Sequence, residues 1–356
     1  MKIGIIGCGG IANGKHLPSL TKLEEVEIVA FCDIDIKKAK LASENYGAEN
    51  AKVYEDYKEL LKDNSIEVIH VCTPNNSHKH ITVDSLDSGK HVMCEKPMAK
   101  TTEEAQAMID AAERNNKKLT IGYQNRFRAD SQYLYKITQR GDLGEIYYSK
   151  AQAVRRRAAP TWGVFLDEEK QGGGPLIDIG THALDLTLWM MDNYEPEVVL
   201  GSTFHKLGNK ESDANAWGTW DPSKFTVEDS AFGFIKMKNG ATIILESSWA
   251  LNSLDDGEAK CALSGTEGGA DMHNNGLRVH GEDLGNLYTS NIELENSGVD
   301  FYEGEKVDEA AEEARLWIES IINDRDPVVK PKEALIVTQI LEGIYKSAKT
   351  GQAVYF

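Results

Sequence analysis

The chain opens on a strand-like run, Lys2-Ile3-Gly4-Ile5-Ile6, and passes at once into Gly7-Cys8-Gly9-Gly10-Ile11-Ala12. A buried strand ending in glycines requires a tight turn, and a helix starting inside that turn must pack back on the strand. Gly7 permits the turn, Gly9 lets another group approach the backbone, and Ala12 is small enough for close helix–strand packing. The helix start directs unpaired N–H groups and a positive dipole end into that space, which suits a pyrophosphate. A second apolar strand, Val26 to Cys32, ends at Asp33. That acid falls about 20 residues past the glycines, where a carboxylate accepts from a ribose 2′-hydroxyl. The order predicts a dinucleotide-binding unit, with Gly7, Gly9, Gly10, Ile11, Ala12 and Asp33 at the cofactor. Asp33 would repel a 2′-phosphate, so NAD is expected ahead of NADP, with Lys37 and Lys38 as the counterweight.

Strand and helix alternate from there to about residue 124. Val68 to Cys72, His91 to Cys94 and Leu119 to Gly122 read as strands. His78 to Ser88 reads as a helix, as does Thr102 to Asn115 behind a Thr-Thr-Glu-Glu cap. This series predicts an α/β, doubly wound (Rossmann) parallel sheet over 1–124. Beyond it, Tyr147 to Val154, Asp229 to Met237 and Ala241 to Trp249 alternate in polarity, the last two around the hairpin signal Asn239-Gly240. Residues 125–356 are therefore expected to form an α+β domain with a large, mainly antiparallel open sheet. Two amphipathic helices, marked by Ala310, Ala314, Trp317 and Ile321 and by Val337, Ile340, Ile344 and Ala348, should pack back on the body, the second stopping at Gly351. Gly208 to Asp221, with Trp217 and Trp220, reads as a long ordered loop.

Composition narrows the setting. The 356 residues carry 39 basic against 57 acidic side chains, a formal charge of −18, which disfavours nucleic acid and anionic membranes as partners. No apolar run approaches the roughly 20 residues of a membrane span, and the first residues form a strand rather than a signal peptide. Cys8, Cys32, Cys72, Cys94 and Cys261 are odd in number, make no C-x-x-C and lie in or beside apolar strands. They read as reduced, buried thiols of a cytoplasmic protein. No metal-ligand spacing occurs.

Two constellations carry chemistry. Lys96, in Glu95-Lys96-Pro97, follows directly on the strand ending at Cys94, so its ammonium is expected in the crevice beyond the carboxyl ends of the sheet. A cis bond before Pro97 would turn it sharply inward. A lysine beside a nicotinamide is a candidate proton carrier for hydride transfer; Cys94 is a much weaker candidate as nucleophile. Downstream, Gly172-Gly173-Gly174-Pro175 precedes a helical run in which Asp178, His182 and Asp185 stand at i, i+4 and i+7. They should share one face, with Gly180 leaving room for something to lie against the helix. On a solvated face the same trio would be only an ion pair and a capping aspartate.

Taken together, Gly7-x-Gly9-x-x-Ala12, Thr73-Pro74-Asn75 with His78, Glu95-Lys96-Pro97 and Gly-Gly-Gly-Pro-Leu-Ile-Asp178-x-Gly-x-His182-x-x-Asp185 resemble the Gfo/Idh/MocA oxidoreductase family over nearly the whole chain. That family includes inositol dehydrogenases, glucose–fructose oxidoreductase and other sugar dehydrogenases. The resemblance implies Lys96, Asp178 and His182 as the catalytic group. It implies dinucleotide contacts from Thr73, Pro74, Asn75 and His78, from Glu95 and Lys96, and from Asn125 in Gly-Tyr-Gln-Asn-Arg. Trp162, in Pro-Thr-Trp-Gly, resembles a tryptophan that some members place near the nicotinamide. A homodimer or homotetramer through the open face of the second sheet is implied as well.

The implied reaction oxidises one secondary alcohol of a sugar, cyclitol or related polyol to a ketone. His182 suits the base, since an ordinary imidazole titrates near the working pH. Asp178 would orient that ring or hold a neighbouring hydroxyl, and Lys96 would stabilise the developing alkoxide. A lysine base is the open alternative. All three groups are expected to converge on one substrate oxygen. Two other functions fit the same motifs: a glycoside hydrolase that uses NAD transiently, and a non-catalytic dinucleotide-sensing regulator.

Overall fold

Six short apolar runs lie side by side in the amino-terminal third: β1 (Lys2–Ile6), β2 (Glu27–Cys32), β3 (Lys52–Tyr54), β4 (Val68–Val71), β5 (His91–Cys94) and β6 (Leu119–Ile121). In the computed structural model, which describes residues 1–273, 276–294 and 308–356, they pair in the order β3-β2-β1-β4-β5-β6. Every pairing is parallel, as the strand–helix alternation predicts. All four residues of β4 are buried, as are three of the four in β5, because helices cover both faces of such a sheet. The glycine loop runs into a helical segment whose first part, Ala12–His16, is wound as a π turn before Leu17–Leu20 continues it. The helix after β4 spans Asn75–Asp87, three residues earlier at its start than the sequence reading. Pro74 stands at the cap, with a fixed φ that admits the first turn directly.

By contacts the chain divides into Met1–Gln124 with Val307–Leu335, and Asn125–Lys306 with Ile336–Phe356. The segment around helix Glu309–Ile322, which the sequence reading assigned to the second domain, thus packs in the first unit. Its Ala314, Trp317 and Ile318 share a core with Ile3, Leu17, Leu20 and Phe31. An apolar stripe records a buried face without naming the surface that buries it.

The second unit is built on nine strands: β7 (Ile146–Val154), β8 (Pro196–Phe204), β9 (Ser230–Met237), β10 (Thr242–Ser248), β11 (Gly257–Gly265), β12 (Gly268–His273), β13 (Gly276–Asp283), β14 (Asn286–Ile292) and β15 (Val354–Tyr355). Their order is β14-β13-β12-β11-β7-β10-β9-β8-β15, antiparallel throughout except for β7 against β10. The β9–β10 hairpin turns at Asn239-Gly240, with Gly240 at a φ of 92°. Ala231, Ile235, Met237, Ile243 and Leu245 point inward and are buried. Helix Thr181–Met191 covers part of that face and is itself buried from Thr181 to Met190. The other face carries Tyr148, Leu200, Phe204 and Phe234, all exposed.

Two features hold the second unit's irregular parts. Arg126 and Asp185 form a fully buried, two-pronged ion pair (2.9 and 2.6 Å), with the guanidinium also 5.3 Å from the Trp189 ring centre. In the loop from Gly208 to Asp221, the Trp220 indole donates to the Gly208 and Lys210 carbonyls (3.1 and 2.8 Å), so the loop is ordered as expected. Among the described residues no helix is long and apolar enough to cross a membrane.

Candidate functional site

On the first unit the glycine loop has the shape its sequence implies. Gly7 adopts a φ of 94°, and a Cβ there would lie 2.6 Å from the Cys72 carbonyl, so no other residue fits the turn. A Cβ on Gly9 or Gly10 would meet no heavy atom within 4 Å, which leaves the loop's outer side open to a phosphate. Ala12 is buried against the sheet, while Ile11 is exposed at the helix start. Asp33 is fixed by its neighbours: the Cys8 N–H donates to one carboxylate oxygen and the Asp35 N–H to the other, both at 2.8 Å. Each oxygen retains a lone pair, so the carboxylate is pre-aimed beside the loop and can still accept from a ribose. The residues present fit a dinucleotide.

The turns after β4 and β5 are joined from beneath. His78 is fully buried, with Nδ1 2.8 Å from the Pro97 carbonyl oxygen and Nε2 2.8 Å from the Thr73 carbonyl oxygen. Burial pulls its basicity below that of an ordinary histidine, while both carbonyls favour the protonated ring. His78 therefore ties the turn at Thr73 to the turn at Pro97. Glu95 also turns inward. One of its oxygens meets Lys15 Nζ (2.8 Å) and His16 Nε2 (2.9 Å), and the other accepts from the Lys96 N–H (3.1 Å). Lys96 itself is half-buried, and its bond to Pro97 is cis.

None of the five thiols is poised to react. All are buried and free. Burial pushes Cys8, Cys32 and Cys261 up to about 12 and raises Cys72 and Cys94 as well, which removes Cys94 from consideration as a nucleophile.

On the second unit the helical run is π-wound over Leu176–Gly180 and α-helical over Thr181–Met191. Asp178 is half-buried and accepts from the Trp249 indole N–H at 3.1 Å. His182 is 9% exposed. Asp185 is drawn away into the Arg126 pair, so it serves the fold. The room expected beside Gly180 is taken by β10: a Cβ there would stand 3.0 Å from Ser247 Oγ, and that hydroxyl donates to the Pro175 carbonyl at 2.7 Å. What lies against the helix at that point is the sheet.

A residue that sequence reasoning missed sets this helix in place. Glu228 is buried, accepts from the Gly174 and Leu176 N–H groups (2.8 and 3.1 Å), and receives the Tyr345 hydroxyl at 2.8 Å. It supplies the acceptors that the helix's first amides lack. The approach is so close that a Cβ on Gly173 would meet the Tyr345 hydroxyl at 2.0 Å, and one on Gly174 the Glu228 carbonyl at 2.2 Å. The glycine run ahead of Pro175 was the available signal. It marks where another segment crowds the backbone, without saying which. Trp162 and Asn125 belong to this unit too; Trp162 is exposed on a loop and Asn125 half-buried at the unit's start.

Comparison with known proteins agrees with this architecture. Residues 1–123 match the model for the oxidoreductase family with an NAD-binding Rossmann fold, and residues 136–356 match the model for that family's C-terminal alpha/beta domain. A D-glucoside 3-dehydrogenase of Escherichia coli (strain K12) is 34% identical over 358 residues, covering 99% of this chain and 97% of the relative. An inositol 2-dehydrogenase of Salmonella typhimurium is 36% identical over 147 residues, 41% of this chain and 43% of its own length. The solved structure of a levoglucosan dehydrogenase in complex with NADH superposes with a TM-score of 0.82 at 20% identity, over 100% of this chain and 98% of that one, a likeness of fold.

Burial holds the Glu228 carboxyl above the ordinary glutamate range, against the pull of two amides and a hydroxyl. The folded protein thus binds this proton more tightly than the unfolded chain, and wild-type stability falls as pH rises from about 4.3 through the raised value. Glu228→Gln should remove that contribution, so urea unfolding over a pH series should show the wild type losing ground to the variant across the window. Parallel curves would refute the assignment.

Proposed function

The chain belongs to the Gfo/Idh/MocA oxidoreductase family, and we propose that it oxidises a ring secondary alcohol of a glucoside or related sugar with Lys96, Asp178 and His182 as its acid–base group. It is an NAD-binding oxidoreductase acting on CH–OH groups, as its relatives are. The observation that carries the finer reading is His182 on a buried helix, one turn past the half-buried Asp178 that Trp249 holds, in a chain whose other unit is a nicotinamide-dinucleotide fold. An imidazole placed on a buried helix beside a held carboxylate calls for a chemical reason.

Bound NAD supplies the hydride acceptor. The protein's own part is to hold and move one proton and to steady one oxygen. His182 takes the hydroxyl proton, and Asp178, held by the Trp249 indole, orients the imidazole or an adjacent substrate hydroxyl. Lys96 donates to the reacting oxygen as negative charge builds on it. Its backbone N–H is pinned to Glu95 and its turn to His78, which supports a fixed starting point for the side chain. We assign the cofactor preference to Asp33, and the contacts along Thr73, Pro74, Asn75 and Asn125 to the dinucleotide, following the family. We also place the protein in the cytoplasm, a reading supported by five buried free thiols.

The outer sheet face supports a homo-oligomer. Leu200 and Phe234 are direct cross-strand neighbours, with Phe204, Tyr148 and Ile244 on the same face. A contiguous apolar patch of this kind marks an interface more often than a free surface.

Three measurements test the proposal. Asp33→Ala should narrow the preference for NAD over NADP in kcat/KM; a wild type that uses NADP equally well would overturn the role of Asp33. His182→Ala should lower kcat by about 10²–10⁴-fold with little change in NAD affinity, and Lys96→Arg should not restore a Lys96→Ala loss, because a planar fork cannot replace a point charge. Near-normal turnover in both His182→Ala and Lys96→Ala would remove the catalytic assignment. Phe234→Lys should shift the mass in light scattering toward the monomer, whereas an unchanged mass would place the interface elsewhere.

A further inference from the structure

In the second unit a chain of aromatic rings runs outward from Asp178. Trp249, whose indole holds the Asp178 carboxylate, is fully buried. Phe165 packs edge-on against it (centroids 6.4 Å, planes 78° apart), Trp162 edge-on against Phe165 (5.9 Å, 72°), and Trp217 edge-on against Trp162 (5.0 Å, 80°). The last two rings are 52% and 42% exposed. Two indoles left in water at the far end of a ring series that starts on a candidate catalytic carboxylate are not explained by the core, which the inner rings already fill.

Nor are they loosely held. The loops that carry them are fastened by Asn215, buried, which accepts from the Ala159 N–H (2.8 Å) and donates to the Ala159 and Gly218 carbonyls (3.0 and 2.7 Å). The Ala216 N–H donates to the Arg157 carbonyl at 3.0 Å, and the Thr161 hydroxyl donates to the Trp217 carbonyl. The Arg155 guanidinium lies 5.0 Å from the Trp217 ring centre and is itself tied to Glu258. Rings exposed yet fixed in advance lose little freedom when a ligand arrives, which is how a binding surface differs from a stray apolar side chain.

We propose that Trp162 and Trp217 form a stacking subsite for the second ring of a glycoside whose first ring is oxidised beside Asp178 and His182. A pyranose has an apolar C–H face that stacks on an aromatic ring and a hydroxyl rim that takes hydrogen bonds. The indole pair offers the first surface. Arg155, whose guanidinium lies against the Trp217 ring, offers donors at its border. The two intervening ring contacts set the subsite apart from the reacting carbon, where an aglycone sugar would lie. The preferred substrate is then a disaccharide, and a free hexose fills only the inner half. This inference rests on the oxidoreductase reading above.

The test uses the full-length protein with NAD, and glucose, maltose, cellobiose and trehalose as probes. Wild type should show a higher kcat/KM for at least one disaccharide than for glucose. In Trp217→Ala the disaccharide-to-glucose ratio should fall tenfold or more, mainly through KM, because stacking on a non-reacting ring stabilises ground and transition states alike. Trp217→Phe should keep most of the ratio. A wild type that prefers glucose to every disaccharide overturns the subsite while leaving the oxidoreductase intact. An unchanged ratio in Trp217→Ala also overturns it, and a simultaneous drop in oligomer mass would reassign the pair to a subunit contact. If wild type oxidises none of the sugars, the underlying reading fails first and the subsite with it.

Discussion

A buried carboxylate governs the first unit. Glu95 lies at the end of the β5 strand, out of reach of water, where an unpaired negative charge would cost several kcal/mol. Its partners are therefore obligatory, and they come from two segments: Lys15 and His16 from the π turn after the glycine loop, and the N–H of Lys96 from the next turn. His16 passes the chain on to His70 of β4 through paired Nδ1 atoms at 2.9 Å. The contacts agree when His70 donates to His16 and His16 donates to Glu95, with His70 kept neutral by burial and its Nε2 left without a partner. Lys15 remains charged between Glu95 and Glu313, and Gln124 also accepts from it. Gly122 belongs to the same constraint, since a Cβ there would come within 2.9 Å of the Glu95 carboxylate. The dinucleotide loop and the Lys96 turn thus share one foundation.

Glu228 plays a comparable part in the second unit, with opposite electrostatics. Glu95 is held well below the usual carboxylate range because a lysine and a histidine stand against it. Glu228 is pushed up because its partners are neutral amides and a phenol, which cannot offset the loss of water. Glu313 is pushed up for a third reason: burial and the neighbouring Glu95 outweigh its share of Lys15. In both units the fully buried acid fixes the backbone of a segment that carries a candidate site residue.

Much of this was legible in the sequence, and the boundary of legibility has a physical cause. The parallel strands announce themselves because a sheet covered on both faces must be apolar at every position. The turns at Gly7 and Asn239-Gly240 announce themselves because few residues tolerate their backbone. Helices Ile36–Tyr46 and Ala129–Arg140 were not read, though Asp35 caps the first and Gly141, at a φ of 84°, ends the second. Their apolar stripes are thin and their local signals modest. Asp185 illustrates the deeper limit: its partner, Arg126, stands 59 residues away, and nothing near Asp185 hints at it. The inward turn of Glu95, the contact of Gly180 with Ser247 and the packing of Trp317 are of the same kind. Each is a pairing between distant segments, and a local pattern records only that a partner exists.

The two π turns, Ala12–His16 and Leu176–Gly180, have one further consequence. Each is in effect an α-helix into which one residue has been inserted, so everything that follows is rotated by about 100° relative to an uninterrupted helix. At the first, the insertion decides that Lys15 and His16 face Glu95; at the second, it sets the angle at which His182 leaves the helix relative to Pro175. Chain length at these two places is therefore information in its own right. A single-residue deletion there would keep the side chains named above and still misdirect them.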